Sequence, residues 1–439
     1  MGKTTNEETD ESDVPIEAIT PPFVPGLWRR YRRLPRNVFA ISLVSLLNDI
    51  SSEIIYPLLP VFLSLTLGAS ARVVGRIEGI AESISSLLKL FAGYFSDRRG
   101  KRKIFVVIGY ILSSFVRPLL AFASNWFQVL GIRFADRVGK GIRSAPRDAM
   151  IADAVPIEQR GLAFGLHRAL DHTGAVLGPI VGYFLVRMFA ADPNALTASD
   201  FTKIFLVASI PALAAVLVVL FFVREPSKKG IATSDDAKAV TDPPVSLSLR
   251  GFDGNFKRFL LIIALFTLSN SSDAFLLLRA QSTGVSIATL PLLWAMLHVS
   301  KVVSSLYGGH LSDILGRRRL IFSGWILYAA VYAGFAFVSD SFSVWILFLI
   351  YGIYFGLVEG AEKAFVADLV KPEQRGTAYG LYNLAFGITV LPASLLMGEL
   401  WDWRGPRTAF LVSAVIGATA ALLLLLVVQT NPRKLQNQT

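Results

Sequence analysis

Twelve times along this chain a mostly apolar run is long enough to cross a lipid bilayer, which takes a helix of about 20 residues. The runs fall at 37–66, 73–96, 104–124, 126–152, 162–189, 203–223, 258–282, 287–312, 319–339, 342–369, 377–399 and 407–429. In hydrocarbon no water is present to satisfy peptide groups. Each run must therefore close its own backbone hydrogen bonds, which a helix does and an open sheet does not. An all-α membrane protein with twelve transmembrane helices is the expected fold. Composition agrees: 53% of the 439 residues are hydrophobic and 17% charged, against about 25% charged in soluble domains.

The formal charge of +11 looks at first like a nucleic-acid signal, but its distribution argues otherwise. Arg29, Arg30, Arg32, Arg33 and Arg36 precede the first run, and Arg98, Arg99, Lys101, Arg102 and Lys103 follow the second. Lys228, Lys229, Lys257 and Arg258 flank the segment after the sixth, Arg317, Arg318 and Arg319 follow the eighth, and Arg433 and Lys434 follow the last. In an even-numbered bundle all these segments lie on one side, while the other side holds few basic residues, such as Arg72, Lys203 and Arg404. Basic loops mark the cytoplasmic side. The chain is thus expected to be a multi-pass protein of the cytoplasmic membrane with both termini inside. The bilayer, not nucleic acid, is its partner. The absence of cysteine removes disulfides and thiolate metal sites. No nucleophile–base set, phosphate-binding loop or dinucleotide fingerprint is present, so neither an enzyme nor an ATP-driven machine is expected. Residues 1–36 read as a disordered N-terminus, acidic and then basic, without a signal peptide. Residues 37–224 and 258–430 read as two six-helix units, 225–257 as a polar cytoplasmic linker and 431–439 as a cytoplasmic tail.

The two units are related. Gly93-Tyr-Phe-Ser-Asp97-Arg-Arg-Gly-Lys101 returns as Gly309-His-Leu-Ser-Asp313-Ile-Leu-Gly-Arg317, with the aspartates 216 positions apart. A second block, from Ile151 through Asp153 to Gly165, returns from Val366 through Asp368 to Gly380 at an offset of 215. Internal duplication is a building rule of secondary transporters. Asp97 and Lys101 are four apart, and Asp153 lies at the same membrane level. The spacing predicts an Asp97–Lys101–Asp153 latch near Gly93 between two helices, repeated as Asp313–Arg317–Asp368.

The run Gly93, Asp97, Arg98, Gly100, Lys101, Arg102 resembles the signature loop of the major facilitator superfamily. The second copy departs from it at Ile314, where the signature has arginine. The resemblance covers residues 36–430. It implies two pseudo-symmetric six-helix bundles around a central cavity, alternating access by rocking, a proton gradient as energy source with no cofactor, and a monomer. Gly165, Gly174, Gly178-Pro179 and Gly182 further resemble the antiporter motif of the proton-coupled drug and solute exporters in that superfamily, although Tyr183 replaces the motif's last glycine. Physically, Gly174, Gly178 and Gly182 form a small-residue stripe that permits close helix approach.

Charges inside the runs cost about 2.5–3.5 kcal/mol each on insertion scales, so they should face a cavity or one another. Asp136, Lys140, Arg143 and Arg147 share one helical face. Asp49 and Glu53 lie on the first helix, and Glu78, Glu82 and Lys89 share a face of the second. Glu53, Glu82 and Asp49 are the carboxylates expected to carry a coupled proton. With them stands Arg133, which resembles the helix-four arginine of the drug antiporters. Arg137, Lys140, Arg143, Arg168, Asp171, Asn270 and Asp273 are the expected substrate contacts. His298, Lys301, Glu359, Glu362 and Lys363 add polar groups in the second unit, where Trp294, Tyr351, Tyr354 and Tyr382 are candidate cavity aromatics. His167, Asp171 and His172 form a weak metal pattern, and no metal is expected. The expected activity is proton-coupled export of a small organic solute, anionic or zwitterionic. The alternatives are proton-coupled import of an anion and export of a metal cation.

Overall fold

The computed structural model describes residues 32–99, 101–156, 159–225, 249–371 and 374–428. The N-terminus through Tyr31, the linker from Pro226 to Ser248 and the C-terminal tail lie outside the described residues. Among the described residues every regular element is helical.

Helix α1 (Arg36–Ile55) breaks at Pro57, which has no N–H to give the ladder. It resumes as Leu59–Val61 and widens to a π turn at Phe62–Thr66. Then follow α2 (Ala71–Arg99), α3 (Arg102–Val116, extended by a 3-10 segment Arg117–Phe122), α4 (Trp126–Asp153), α5 (Arg160–Phe189) and α6 (Ala198–Phe221). The second set begins with α7 in two pieces, Gly254–Ser269 and Ala274–Ser282. It continues with α8 (Leu290–Leu315), α9 (Arg317–Phe337), α10 (Ser341–Asp368), α11 (Arg375–Arg404) and α12 (Pro406–Val427). At their starts α4, α6 and α10 are capped by Asn125, Thr197 and Asp340, whose side chains accept from Gln128, Asp200 and Ser343 backbone N–H groups. Each cap satisfies a donor that a helix start leaves open.

Among the described residues, ten spans are long and apolar enough to cross a membrane by length and composition. The other two of the expected twelve, α2 and α4, are 29 and 28 residues long but are not apolar enough to qualify. α2 packs on α4 and α11, and α4 packs on α2 and α3.

The packing repeats itself. In the N-half (α1–α6) the pairs are α1 with α5 and α6, α2 with α4, α3 with α4 and α6. In the C-half (α7–α12) they are α7 with α11 and α12, α8 with α10, α9 with α10 and α12. The halves meet through α2 against α11 and α5 against α8.

The doubled loops sit at one end of the bundle, and there the repeat is atomic. Arg102 pairs with Asp153 and donates to the Ala149 carbonyl; Arg317 pairs with Asp368 and donates to the Ala364 carbonyl. In the first copy this corrects the expectation from spacing. α3 starts at Arg102, so its guanidinium reaches the end of α4, while Lys101 is left exposed ahead of the helix. The side chains of Asp97 and Asp313 lie outside the described residues. Gly93 faces Ala145 on α4.

The opposite end is closed by contacts between halves. Asp402 on α11 accepts from the Ala71 and Arg72 N–H groups that start α2, at 3.1 and 3.0 Å, and Glu399 pairs with Arg72 at 2.9 Å. Ser286 donates to Asn194 at 2.5 Å. The backbones nearly touch here: a Cβ on Gly75 would stand 2.4 Å from the Ser394 carbonyl oxygen.

Candidate functional site

Between the halves lies a cavity of about 770 Å³, within the size range of small-molecule sites. Its floor, toward the closed end, is Tyr56, Glu53 and Trp294; toward the loop end it is lined by Lys89, Arg147, Lys363 and Asn383. Ten Lys and Arg and seven Asp and Glu line it, so the wall carries a positive excess.

Most of these charges are spent on one another. Arg133 and Glu78, both buried, form a bidentate pair, with Nε to Oε1 at 3.1 Å and Nη2 to Oε1 and Oε2 at 2.8 and 2.9 Å. Arg117 donates to Asp136 Oδ1 at 3.1 Å and to the Asn48 carbonyl at 2.9 Å. Arg147 holds Asp148 and the Ser45 hydroxyl. Arg143, expected among the substrate contacts, is buried with Nη1 donating to Ser113 at 2.6 Å and its guanidinium over the Tyr110 ring. These pairs tie α4 to α1, α2 and α3, and satisfy charges that would be costly alone in this environment.

Four cations are not spent in this way. Arg137 meets Glu82 only at 3.9 Å, and its Nε has no hydrogen-bond partner among the described residues. Lys140 and Lys89 line the same stretch of wall without a hydrogen-bonded carboxylate among the described residues. Arg168, on α5, is exposed within the cavity. Together they form a basic patch across α2, α4 and α5.

The expected proton carriers are distributed unevenly. Glu53 lines the floor and accepts a hydrogen bond from Trp294 Nε1 at 2.7 Å, across the seam between α1 and α8. His298 Nε2 stands 3.8 Å from the same carboxylate oxygen. Asp49 lines the cavity and accepts from Asn48 at 3.0 Å. Glu82 is not part of the cavity lining and stands behind Arg137. The glycine stripe explains how α1 brings its acids here. A Cβ on Gly174 would lie 2.9 Å from Asp49 Cβ, and one on Gly178 2.8 Å from Glu53 Cβ, so only glycine lets α5 approach α1 at these positions. Gly182 comes within reach of Ile54 more loosely, and Gly165 lies exposed toward the loop end of α5.

On the C-half wall, Asp273 accepts from the Tyr351 hydroxyl at 2.8 Å and lies 3.7 Å from Lys301, whose ammonium sits over the Phe355 ring at 4.0 Å. Asn270 is not in the central cavity; it lines a smaller chamber within the C-half. Asp171 and His172 line the central cavity, and His167 faces Asp171 at 3.5 Å. No group of three or more metal-ligating side chains is arranged to hold an ion among the described residues.

Sequence spacing located the charged faces but not their partners. Glu78 shares a face with Glu82 and Lys89, yet only the rotation of α2 against α4 makes it the partner of Arg133. Arg117 fits no periodic pattern. Its signal was simply an arginine inside an apolar run.

Comparison with known proteins places the chain. The sequence profile of the Major Facilitator Superfamily matches residues 41–297 and 258–439. An uncharacterised transporter of the same type from Methanocaldococcus jannaschii is 35% identical over 402 residues, covering 90% of this chain and 96% of that one. A multi-drug resistance efflux pump PmrA homolog from Lactococcus lactis is 25% identical, covering 85% and 90%. Among solved structures, a bacterial homolog of the human lysosomal transporter Spinster, inward-facing and occupied, superposes with a TM-score of 0.68 at 17% identity, covering 89% of this chain and 95% of that one. The chain belongs to the major facilitator superfamily and is a multi-pass membrane transporter.

Proposed function

We propose that this major facilitator superfamily protein is a proton-coupled exporter of a small organic solute that carries an anionic group, anionic or zwitterionic as a whole. The observation that carries this reading is the basic patch of Lys89, Arg137 and Lys140, which faces a solute-sized cavity without hydrogen-bonded carboxylates among the described residues. Cations left uncompensated within a membrane bundle are costly and mark a ligand path. Guanidinium and ammonium groups together suit a carboxylate or phosphate.

The doubled-loop end is the cytoplasmic end in this reading, so the cavity is open to the cytoplasm and sealed outside. Glu53 carries the coupled proton. It lines the cavity, and its bond with Trp294 is one that rocking of the halves must break. Once the seam has opened, Glu53 takes up a proton from outside, and as a neutral carboxyl it is buried again at the closing seam at less cost than as a carboxylate, its carbonyl oxygen still accepting from Trp294. Return of the empty carrier delivers that proton to the cytoplasm. Export as the direction is supported by the glycine stripe and by the efflux function named for the Lactococcus lactis relative. One physical point favours the opposite direction: a proton on Glu53 makes the cavity more positive and helps an anion bind, as in symport.

Proteoliposomes with an imposed pH gradient test the reading. Outward acidification is expected to drive anion efflux, and Glu53→Gln to abolish the response to the gradient while anion counterflow persists. Lys140→Ala is expected to weaken anion binding itself. Anion accumulation with the inward proton gradient would replace export by symport, and gradient response surviving in Glu53→Gln would remove Glu53 from the coupling role.

A further inference from the structure

Beside the main cavity the C-half holds a second chamber of about 220 Å³ between α7, α10 and α11. It shares Phe355, Glu359, Lys363 and Asn383 with the main cavity, so the two adjoin. Its chemistry is opposite to that of the basic patch. Five rings line it: Phe266, Tyr354, Phe355, Tyr382 and Phe386. Of its charged residues, Glu359 and Lys363 neutralise each other at 2.8 Å. Glu362 has no ion-pair partner among the described residues. Its oxygens accept only neutral donors, Trp325 Nε1 at 2.9 Å and the Tyr382 hydroxyl at 2.7 Å. Those two bonds hold the carboxylate in place without cancelling its charge. The main mechanism gives Glu362 no role.

We propose that this chamber is the subsite for an organic ammonium group, so that the transported solute is bipolar, with its anionic end on Lys89, Arg137 and Lys140 and its cationic end among these rings beside Glu362. An alkylated ammonium is attracted by ring faces, the more so when desolvated, and an uncompensated carboxylate in the same enclosure adds the matching charge. A neutral apolar group would find the rings but would leave Glu362 uncompensated. A second anion would be repelled by it. The inference rests on the proposed function for the position of the anionic end, while the chamber itself is testable alone.

The test uses the purified full chain in detergent and isothermal titration. The first probe pair is choline and its neutral isostere 3,3-dimethylbutan-1-ol, which differ only in the charge. Choline is expected to bind at least about tenfold more tightly. Glu362→Gln should reduce that preference at least about threefold, leaving the part that the rings supply. Phe386→Leu, which leaves every hydrogen bond of Glu362 in place, should reduce it about threefold. The second pair is a series of ω-trimethylammonio carboxylates against the matching tert-butyl carboxylates; the ammonium series is expected to bind more tightly at the chain length that spans both subsites. Equal affinity for choline and its isostere, or a preference undiminished in Glu362→Gln, overturns the inference. Should the variants fail to fold, the wild-type comparison of the isosteres still decides it. Carboxylates that bind without regard to the ammonium would leave the anion reading standing and the chamber refuted. Choline preference without any carboxylate binding would keep the chamber and remove the anion reading.

Discussion

The N-half and the C-half repeat one set of helix contacts but fill it with different material. The N-half wall is built on buried ion pairs, Arg133 with Glu78 and Arg117 with Asp136. The corresponding interior of the C-half is aromatic: Trp325, Tyr328, Tyr332, Tyr351 and Phe348 are fully buried, and Phe266 stacks on Trp325 at 4.1 Å between ring centroids. The contact pattern is thus independent of interior chemistry. It is set by helix lengths, breaks and small residues where backbones meet. Interior chemistry is then free to serve function, and the charged half carries most of the unspent cations of the cavity. Buried pairs order a bundle through charge and partner choice, whereas the rings fill space and add a few hydrogen bonds from their polar tips, such as Trp325 to Glu362 and Tyr351 to Asp273.

The largest effect should come from splitting a buried pair. Arg133→Met alone leaves Glu78 without its partner and is expected to cost about 3–5 kcal/mol of stability, while Arg133→Met with Glu78→Met should recover most of it. Chemical unfolding in micelles measures both. A cost below about 1 kcal/mol for the single change would mean that the pair is exposed and movable, and Arg133 would return to the coupling role expected from sequence. A smaller effect tests the glycine stripe. Gly178→Ala forces α5 from α1 at Glu53 and should cost about 1–3 kcal/mol, with gradient-driven transport falling more than thermal stability does. Retained transport at full rate would show that the close approach serves packing alone. The smallest effect concerns the place where the halves agree. Asp153→Asn and Asp368→Asn each break a half-exposed pair and should each change stability by about 0–1 kcal/mol, with similar effects on exchange rate. A large effect in one copy only would end the functional equivalence of the two loops.

Much of the architecture was legible because it is periodic. The apolar runs, the doubled loop and the 215-residue offset follow from local pattern, and so does the glycine stripe. Even so, α2 and α4 are not apolar enough to count as spans by composition. They are placed by the helices around them. Spacing put Asp136, Lys140, Arg143 and Arg147 on one face, yet Arg143 turns into α3 and Lys140 into the cavity. The loop pair was expected at Lys101 and is made by Arg102, one residue later. Glu362, one of several scattered polar residues in the sequence, becomes distinct only when Trp325, Tyr382 and the chamber are seen around it.

The sequence by itself determined that this chain must be a helical membrane bundle built twice, because bilayer thickness and backbone hydrogen bonding leave no other choice for runs of this length. Only the tertiary structure decided which charges are spent in pairs and which are left to meet a solute. A helical repeat fixes the face of each side chain, but not the rotation of one helix against another, and an arginine is a structural tie or a binding group according to whether a carboxylate stands within about 3 Å of it.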